Sequence, residues 1–310
     1  YSKNGRGVLT SLSKLPTPAS ITDLELENAV HFTIDSLKTF TSLKTLRIGR
    51  ECLVLWESAR RQEPGWLSFA PALSSLTLDW VGNCMHWVNC LPPTITRFRC
   101  PHSSNAAVNL PGAGKKIATK FPASLTHLGL SGFHAKVHSA IKDSKAHIFE
   151  LTDNFITHTQ GNVIPHEITT LIVGSENAHQ YDYDVSQLSS FSKRITQLPQ
   201  TVTTIHLLAT CKISNESLKL LPNLRNLIVS AVEIVEMPVL PQGCTEIHVP
   251  MTAIQAFKSQ YAHLQQMEVK KIVVTLKRMD VPPSLLSLHF SDQQKVVTND
   301  FIAALPRGLQ

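Results

Sequence analysis

Charged and histidine side chains recur in this sequence at two polar positions within short apolar runs, which are spaced 20 to 34 residues apart. Arginines dominate the first half, and a guanidinium can fork onto a carboxylate or a phosphate. Histidines mixed with glutamates dominate the second half, a combination that can hydrogen-bond either charge and respond to pH. The candidate partner-binding residues are Arg47, Arg97, Arg99, His127, His206, Glu246, His248, Glu268 and His289. The alternative interpretation is that these positions are polar only because water faces them.

Three other patterns lack residues that their chemistry needs. His134 and His138 are four residues apart, but no acidic residue lies between them as it does in His-Glu-x-x-His. The stretch 112–116 resembles a phosphate-binding loop, but Asn109 replaces its first glycine and Lys116 replaces its Ser or Thr. No Ser, His and Asp set has a recognisable local motif. We therefore predict no metal site, no cofactor and no catalytic activity.

The elements that position these side chains belong to an internal repeat. Twelve apolar residues align when each run is matched to the next, and successive copies are 20 to 22 residues apart except for three enlarged units. The aligned residues are Leu24, Leu46, Leu76, Phe98, Leu128, Phe149, Leu171, Ile205, Leu227, Ile247, Met267 and Leu288. This period predicts a single solenoid over residues 1–310, with inserted loops at about 101–120 and 174–197. Either loop could also contact a partner.

Each run alternates apolar and polar residues, as in Leu43-Lys44-Thr45-Leu46-Arg47-Ile48. Such alternation predicts a short strand with one buried face. Most copies carry a proline three residues before the first apolar position, where no ladder hydrogen bond is needed. The links are too long for hairpins, so the strands are expected to be parallel, with irregular or short helical returns. The polar positions then form two columns on one face of the sheet.

The phrase Leu-Pro-x-x-Leu-Thr, seen for example at 121–126 with Phe in the first place, resembles the proline-led variety of the leucine-rich repeat family. The resemblance implies an α/β solenoid, a horseshoe with a concave parallel sheet of about 11–12 short strands, that binds partners through its concave face. One feature departs from the family. The asparagine expected three residues after the last strand leucine is replaced by Ala29, Glu51, Val81, Ser103, Phe133 and Thr210. An asparagine ladder cannot form, so the turn backbone must find other partners.

Composition narrows the class of protein. The chain has 310 residues, 43% hydrophobic residues and a net charge of +6, which permits anionic partners without requiring them. No apolar run approaches the roughly 18 residues of a membrane span. Six cysteines show no Cys-x-x-Cys spacing, and Cys100 and Cys244 take the place of strand leucines, so we predict buried thiols and a cytoplasmic, intracellular location. Residues 305–310 begin another repeat, and we expect the array to continue beyond 310.

These observations predict a non-catalytic scaffold that mediates protein–protein interaction through the concave columns, without identifying the partner or an oligomeric state. Two alternatives stay open. The basic early half could dock on RNA or a ribonucleoprotein, which would supply phosphates. The chain could also be the recognition arm of a larger enzyme, such as a ubiquitin-ligase effector.

Overall fold

The computed structural model describes short segments that contain the repeated strands and the turns before them. The described residues are 17–26, 37–49, 66–79, 88, 91–101, 120–130, 138–151, 164–174, 198–208, 218–229, 240–249, 266–269 and 287–290. The chain divides into two compact units, Tyr1–His166 and Glu167–Gln310. The single solenoid over 1–310 stays a prediction.

The first unit contains six described strands that pair in parallel and in chain order. They are β1 (Asp23–Leu26), β2 (Thr45–Ile48), β3 (Ser75–Leu78), β4 (Arg97–Cys100), β5 (His127–Leu130) and β6 (Ile148–Leu151). The second unit repeats this arrangement with six more. They are β7 (Thr170–Val173), β8 (Thr204–Leu207), β9 (Asn226–Val229), β10 (Glu246–Val249), β11 (Gln266–Val269) and β12 (Ser287–Phe290).

Parallel strands separated by long returns were predicted, and the register within each unit is the predicted one. In the first unit Leu46 is level with Leu24 and Leu76, and in the second unit Ile205 is level with Leu171 and Leu227. Each of these central strand residues except Leu24 is fully buried. The core of each unit is therefore a stack of aligned aliphatic and aromatic side chains, as period-two alternation requires.

The returns between strands contain little regular structure among the described residues. One short α-helix, α1 (His138–Lys142), precedes β6. Turns of 3-10 helix occupy Pro18–Ser20, Trp66–Phe69 and Leu218–Leu220. The sequence predicts irregular or short helical returns, and these short elements are compatible with that prediction. No helix in the described part of the chain is long and apolar enough to cross a membrane.

The proline of each repeat begins a tight turn that aims the chain into the strand. In four copies the carbonyl oxygen of this proline accepts a hydrogen bond from the backbone N–H three residues later. The pairs are Ile95 with Pro92, Leu125 with Pro122, Val202 with Pro199 and Cys244 with Pro241, at 2.9–3.2 Å. Proline needs no donor at this point, and its fixed φ favours the turn. The repeated phrase is thus a turn signal followed by a strand.

At the start of several strands, a side-chain hydroxyl of one repeat donates a hydrogen bond to a backbone carbonyl of the preceding repeat. Thr126 Oγ1 donates to the Thr96 carbonyl at 3.1 Å, and Thr96 Oγ1 donates to the Ser74 carbonyl at 3.2 Å. Ser74 Oγ reaches the Lys44 carbonyl at 3.3 Å, and Thr203 Oγ1 reaches the Thr169 carbonyl at 3.3 Å in the second unit. The threonine of Leu-Pro-x-x-Leu-Thr therefore forms a hydroxyl ladder. The six positions that replace the family asparagine lie outside the described residues.

Candidate functional site

The side of each sheet opposite the core carries the predicted columns. We call the column residues of β1–β6 the first-unit face and those of β7–β10 the second-unit face. The first-unit face consists of Asp23, Glu25, Thr45, Arg47, Ser75, Thr77, Arg97, Arg99, His127, Gly129, Ile148 and Glu150. The second-unit face consists of Thr170, Ile172, Thr204, His206, Asn226, Ile228, Glu246 and His248. Glu268 and His289 continue the column on β11 and β12, but their side chains lie outside the described residues.

Arg47 lies at the centre of a partly exposed ion-pair network. Its Nη1 is 2.8 Å from Glu25 Oε1 on the neighbouring strand, and its Nε donates to Asp79 Oδ2 at 3.0 Å. Glu25 is the direct cross-strand neighbour of Arg47, and Asp79 follows the end of β3. The Arg47 side chain is 40% exposed, so each pair contributes little to stability. The guanidinium nevertheless already has two carboxylate partners.

Arg99 forms a buried, two-pronged pair with Glu150. Its Nε donates to Glu150 Oε2 at 2.7 Å, and its Nη2 donates to Oε1 at 2.5 Å. His127 Nε2 lies 3.3 Å from Glu150 Oε2 and is the donor, because an ionised carboxylate can only accept. The Glu150 side chain is 2% exposed. Because removing one member would leave a buried charge without its counterion, we interpret this cluster as structural.

Gly129 allows Arg99 to reach Glu150. The three residues are level with one another on β4, β5 and β6, so the arginine side chain must cross the middle strand. A Cβ atom on Gly129 would lie 3.1 Å from Arg99 Cγ and 3.1 Å from Glu150 Oε2. A side chain here would therefore push into both partners. The glycine acts by leaving space, since no unusual backbone angle is required.

Two opposing effects act on the pKa of Glu150. Burial, the larger single effect, raises the pKa because it penalises the charged form. The hydrogen bonds from His127 and Arg99, together with their charges, outweigh burial, so the pKa of Glu150 is lowered from its ordinary value. The carboxylate is therefore ionised at neutral pH, as the bidentate pair requires.

The first-unit face consequently differs from the open basic patch that the sequence suggested. Arg47 and Arg99 have carboxylate partners within the unit. The polar column was expected to face water, but Thr77, His127 and Glu150 are buried. Glu150 was not among the residues selected from the sequence, although a charge opposite to that of Arg99 at equal register was an available signal.

The second-unit face alternates aliphatic and imidazole side chains along its central column. Ile172, His206, Ile228 and His248 are level with one another on β7 to β10, and each is partly exposed. Their strand neighbours, such as Ile205, point the other way and are buried. On the adjacent column, Glu246 Oε1 lies 2.7 Å from His248 Nε2. This face therefore combines accessible apolar surface with hydrogen-bonding groups.

Several remaining predictions concern cysteines, metals and loops. Cys100 and Cys244 are buried and free, as the repeat alignment predicted, and burial above all raises the pKa of the Cys244 thiol to about 12. Within the described ranges, no group of three or more His, Cys, Asp or Glu side chains could hold a metal ion. His134, and nearly all of the loops 101–120 and 174–197, lie outside those ranges.

A scan against models of known protein families and a search of curated proteins found no match to this chain.

Proposed function

We propose that this chain is a non-catalytic leucine-rich-repeat scaffold that binds another protein through the side of its sheet opposite the core. The observation that carries the proposal is the pair Ile172 and Ile228, which are partly exposed at strand centres of the second-unit face. Burial of aliphatic surface is the main favourable contribution to protein association. Two isoleucines at equal register, each beside an imidazole, provide apolar anchors together with polar groups that fix orientation.

The hydrogen bonds that the charged and histidine side chains make within the protein also favour binding over catalysis. Arg99, His127 and Glu150 satisfy one another in a largely buried cluster, and His248 bonds Glu246. A catalytic acid or base must come within hydrogen-bond distance of a proton on its substrate. A side chain whose polar atoms are already hydrogen-bonded to its neighbours is less suited to that role. The described faces are rows of side chains carried by neighbouring parallel strands, an arrangement that suits contact with an extended protein surface.

The repeat type is part of the proposal and rests on the sequence phrase. The turn at the proline and the hydroxyl ladder at the threonine give these two recurring positions of Leu-Pro-x-x-Leu-Thr a structural role in this chain. We also propose that the protein acts inside the cell, because Cys100 and Cys244 serve as core residues and not as disulfide partners.

Binding to RNA through the first unit has less support than binding to protein. Phosphate recognition needs guanidinium groups that can turn to the ligand, whereas Arg47 and Arg99 are bonded to carboxylates. The possibility that the chain serves as the recognition arm of a larger enzyme stays a prediction, and it is compatible with protein binding.

The test is capture of a partner by the full chain and by face variants. The immobilised chain is exposed to a lysate of the organism that encodes it, and captured proteins are quantified by mass spectrometry. The face variant carries Ile172→Asp, Ile228→Asp and His206→Ala, and the matched control carries Leu220→Asp, at a 49% exposed residue in a return. Arg99 is not changed, because its loss would disturb the fold.

We expect at least one protein to be captured by the original chain and the control but not by the face variant. Ribonuclease treatment should leave this capture intact. Equal capture by all three chains would refute binding through the second-unit face, and loss on ribonuclease treatment would favour the RNA alternative.

A further inference from the structure

The sheet of the first unit has an open edge at β1. This strand pairs with β2 on one side, and no described strand pairs with its other side. Leu24 and Leu26, on the core side of β1, are 9% and 5% exposed, whereas Leu46 on β2 is 0% exposed. The core is therefore less completely covered at β1 than at β2. The unpaired backbone of an edge strand is also a template for a further strand.

Eight interfaces between described neighbouring repeats show what a strand at this edge would supply. In each, the carbonyl oxygen just before one strand accepts hydrogen bonds from two consecutive N–H groups at the start of the next strand, at 2.7–3.1 Å. The paired donors are Lys44 and Thr45, Ser74 and Ser75, Thr96 and Arg97, Thr126 and His127, His147 and Ile148, Thr203 and Thr204, Arg225 and Asn226, and Thr245 and Glu246. Thr22 and Asp23 hold these two positions at β1, but no carbonyl in the described part of the chain accepts a hydrogen bond from either N–H group.

The polar side chains of this edge strand are acidic. Asp23 is exposed and accepts a hydrogen bond from the Thr22 hydroxyl at 2.7 Å, and the Glu25 side chain is 52% exposed. The guanidinium that pairs with Glu25 belongs to Arg47 on β2, on the side away from the open edge. A strand added at this edge would therefore meet the two carboxylates one strand spacing away and the guanidinium at two. Opposite charges on neighbouring strands attract, so lysine or arginine is favoured at these levels, and an acidic strand is repelled.

We propose that the open edge of β1 binds an extended segment of another protein as an added parallel strand, in which aliphatic residues alternate with lysine or arginine. The aliphatic residues are level with Leu24 and Leu26, and the basic residues are level with Asp23 and Glu25. The carbonyl oxygen just before the added strand accepts the N–H groups of Thr22 and Asp23, as in the eight described interfaces. In such strand addition the backbone bonds give affinity and alternate side chains give specificity. The inference concerns the edge of the first unit and does not depend on the use proposed for the second-unit face.

The test is selection of displayed, randomised peptides of about eight residues, the length of an ordinary strand, against the full chain. Each round is counter-selected against the Asp23→Pro chain. Proline removes an N–H group that no described residue accepts, and its ring blocks the open edge. The matched control is Ala123→Pro, because Ala123 is an exposed turn residue at the repeat position that Pro93 holds in the preceding repeat.

We expect the enriched peptides to alternate aliphatic and basic residues and to lose at least about tenfold in affinity on the Asp23→Pro chain. Their affinity for the Ala123→Pro chain should not change. Glu25→Gln keeps every backbone donor and should weaken binding by roughly two- to fivefold, as expected for one cross-strand charge pair. Hydrogen exchange of the Thr22 and Asp23 amides should slow when a selected peptide is bound to the original chain.

Several results would overturn the inference. These are peptides insensitive to Asp23→Pro, enrichment of acidic or uncharged peptides, and exchange at Thr22 and Asp23 that the peptide does not slow. Association of the chain with itself in sedimentation, abolished by Asp23→Pro, would also overturn it, because a second copy would then occupy the edge. Urea unfolding shows whether the Asp23→Pro chain folds; if it does not, the Glu25→Gln affinities and the amide exchange decide the outcome.

Discussion

The two units share a parallel register but use the exposed side of their sheets in different ways. On the first-unit face, Arg99 and Glu150 pair across Gly129, and the resulting cluster is largely closed to water. On the second-unit face, the corresponding column presents Ile172, His206, Ile228 and His248, all partly exposed. The difference teaches that residues at the same strand position can either stabilise the sheet or remain accessible to a partner. Where oppositely charged residues of the column pair with each other, they stabilise the sheet.

This comparison predicts that first-unit substitutions alter stability and second-unit substitutions alter binding. The largest effect is expected for Arg99→Ala, which leaves the buried Glu150 carboxylate without its main partner and should cost about 3 kcal/mol of unfolding free energy. Arg47→Ala is the matched control, because the Arg47 side chain is 40% exposed and its pairs should be worth under about 1 kcal/mol. Urea unfolding of both variants provides the measurement. Equal losses would contradict the structural role of the Arg99 cluster.

The Glu150 carboxylate should also make the stability depend on acid. Because its pKa is lowered on folding, its contribution is complete above the ordinary value of 4.5 and disappears as pH falls through the folded pKa. The difference in unfolding free energy between the original chain and Glu150→Gln should therefore shrink as pH is lowered below about 4.5. A difference that stays constant from pH 7 to pH 3 would show that Glu150 is not stabilised in its charged form.

Filling the gap at Gly129 should produce the next largest loss. Gly129→Val places methyl groups against Arg99 and Glu150 and should cost about 2 kcal/mol. Thermal and urea unfolding measure this loss. In the Arg99→Ala background the same substitution should cost less, since the side chain that it displaces is gone. Additive losses would indicate that the strain arises elsewhere.

Removing one hydroxyl of the ladder should have a smaller effect. Thr126→Val keeps the shape of the side chain but loses its bond to the Thr96 carbonyl, which should cost about 0.5–1 kcal/mol. Thr41→Val, at an exposed turn threonine, is the control and should change stability by less than about 0.5 kcal/mol. Equal stability of the two variants by urea unfolding would argue against a ladder that supports the repeats.

The smallest change in stability is expected for His206→Gln and His248→Gln, within about 0.5 kcal/mol each, because both side chains are partly exposed. Capture of a partner should nevertheless weaken. Unfolding curves and capture from one preparation of each variant separate these effects. A histidine variant that unfolds as readily as Arg99→Ala would remove the distinction between the two faces.

Much of the fold could be predicted because its signals are local. The alternation around Leu46 or Ile205 assigns one side of a four-residue strand to the core, and the recurrence of the phrase sets the register. Phe149 and Met267, two of the aligned residues, also lie in strands, β6 and β11, at the expected register. The hydrogen bonds and ion pairs of the candidate site could not be predicted in the same way. The sequence pattern indicates which residues share a face of the sheet, but not which of them pair with one another.

The sequence by itself determined the period, the strand positions, the alignment of the core and which residues share a face, since each depends on the spacing of apolar residues along the chain. Only the tertiary structure decided which charged side chains form ion pairs with each other within the protein. Arg99 and Glu150 are 51 residues apart in sequence and meet because an unoccupied space above Gly129 lets one side chain cross a strand. Their pairing depends on side-chain length and depth of burial, which the order of residues does not specify.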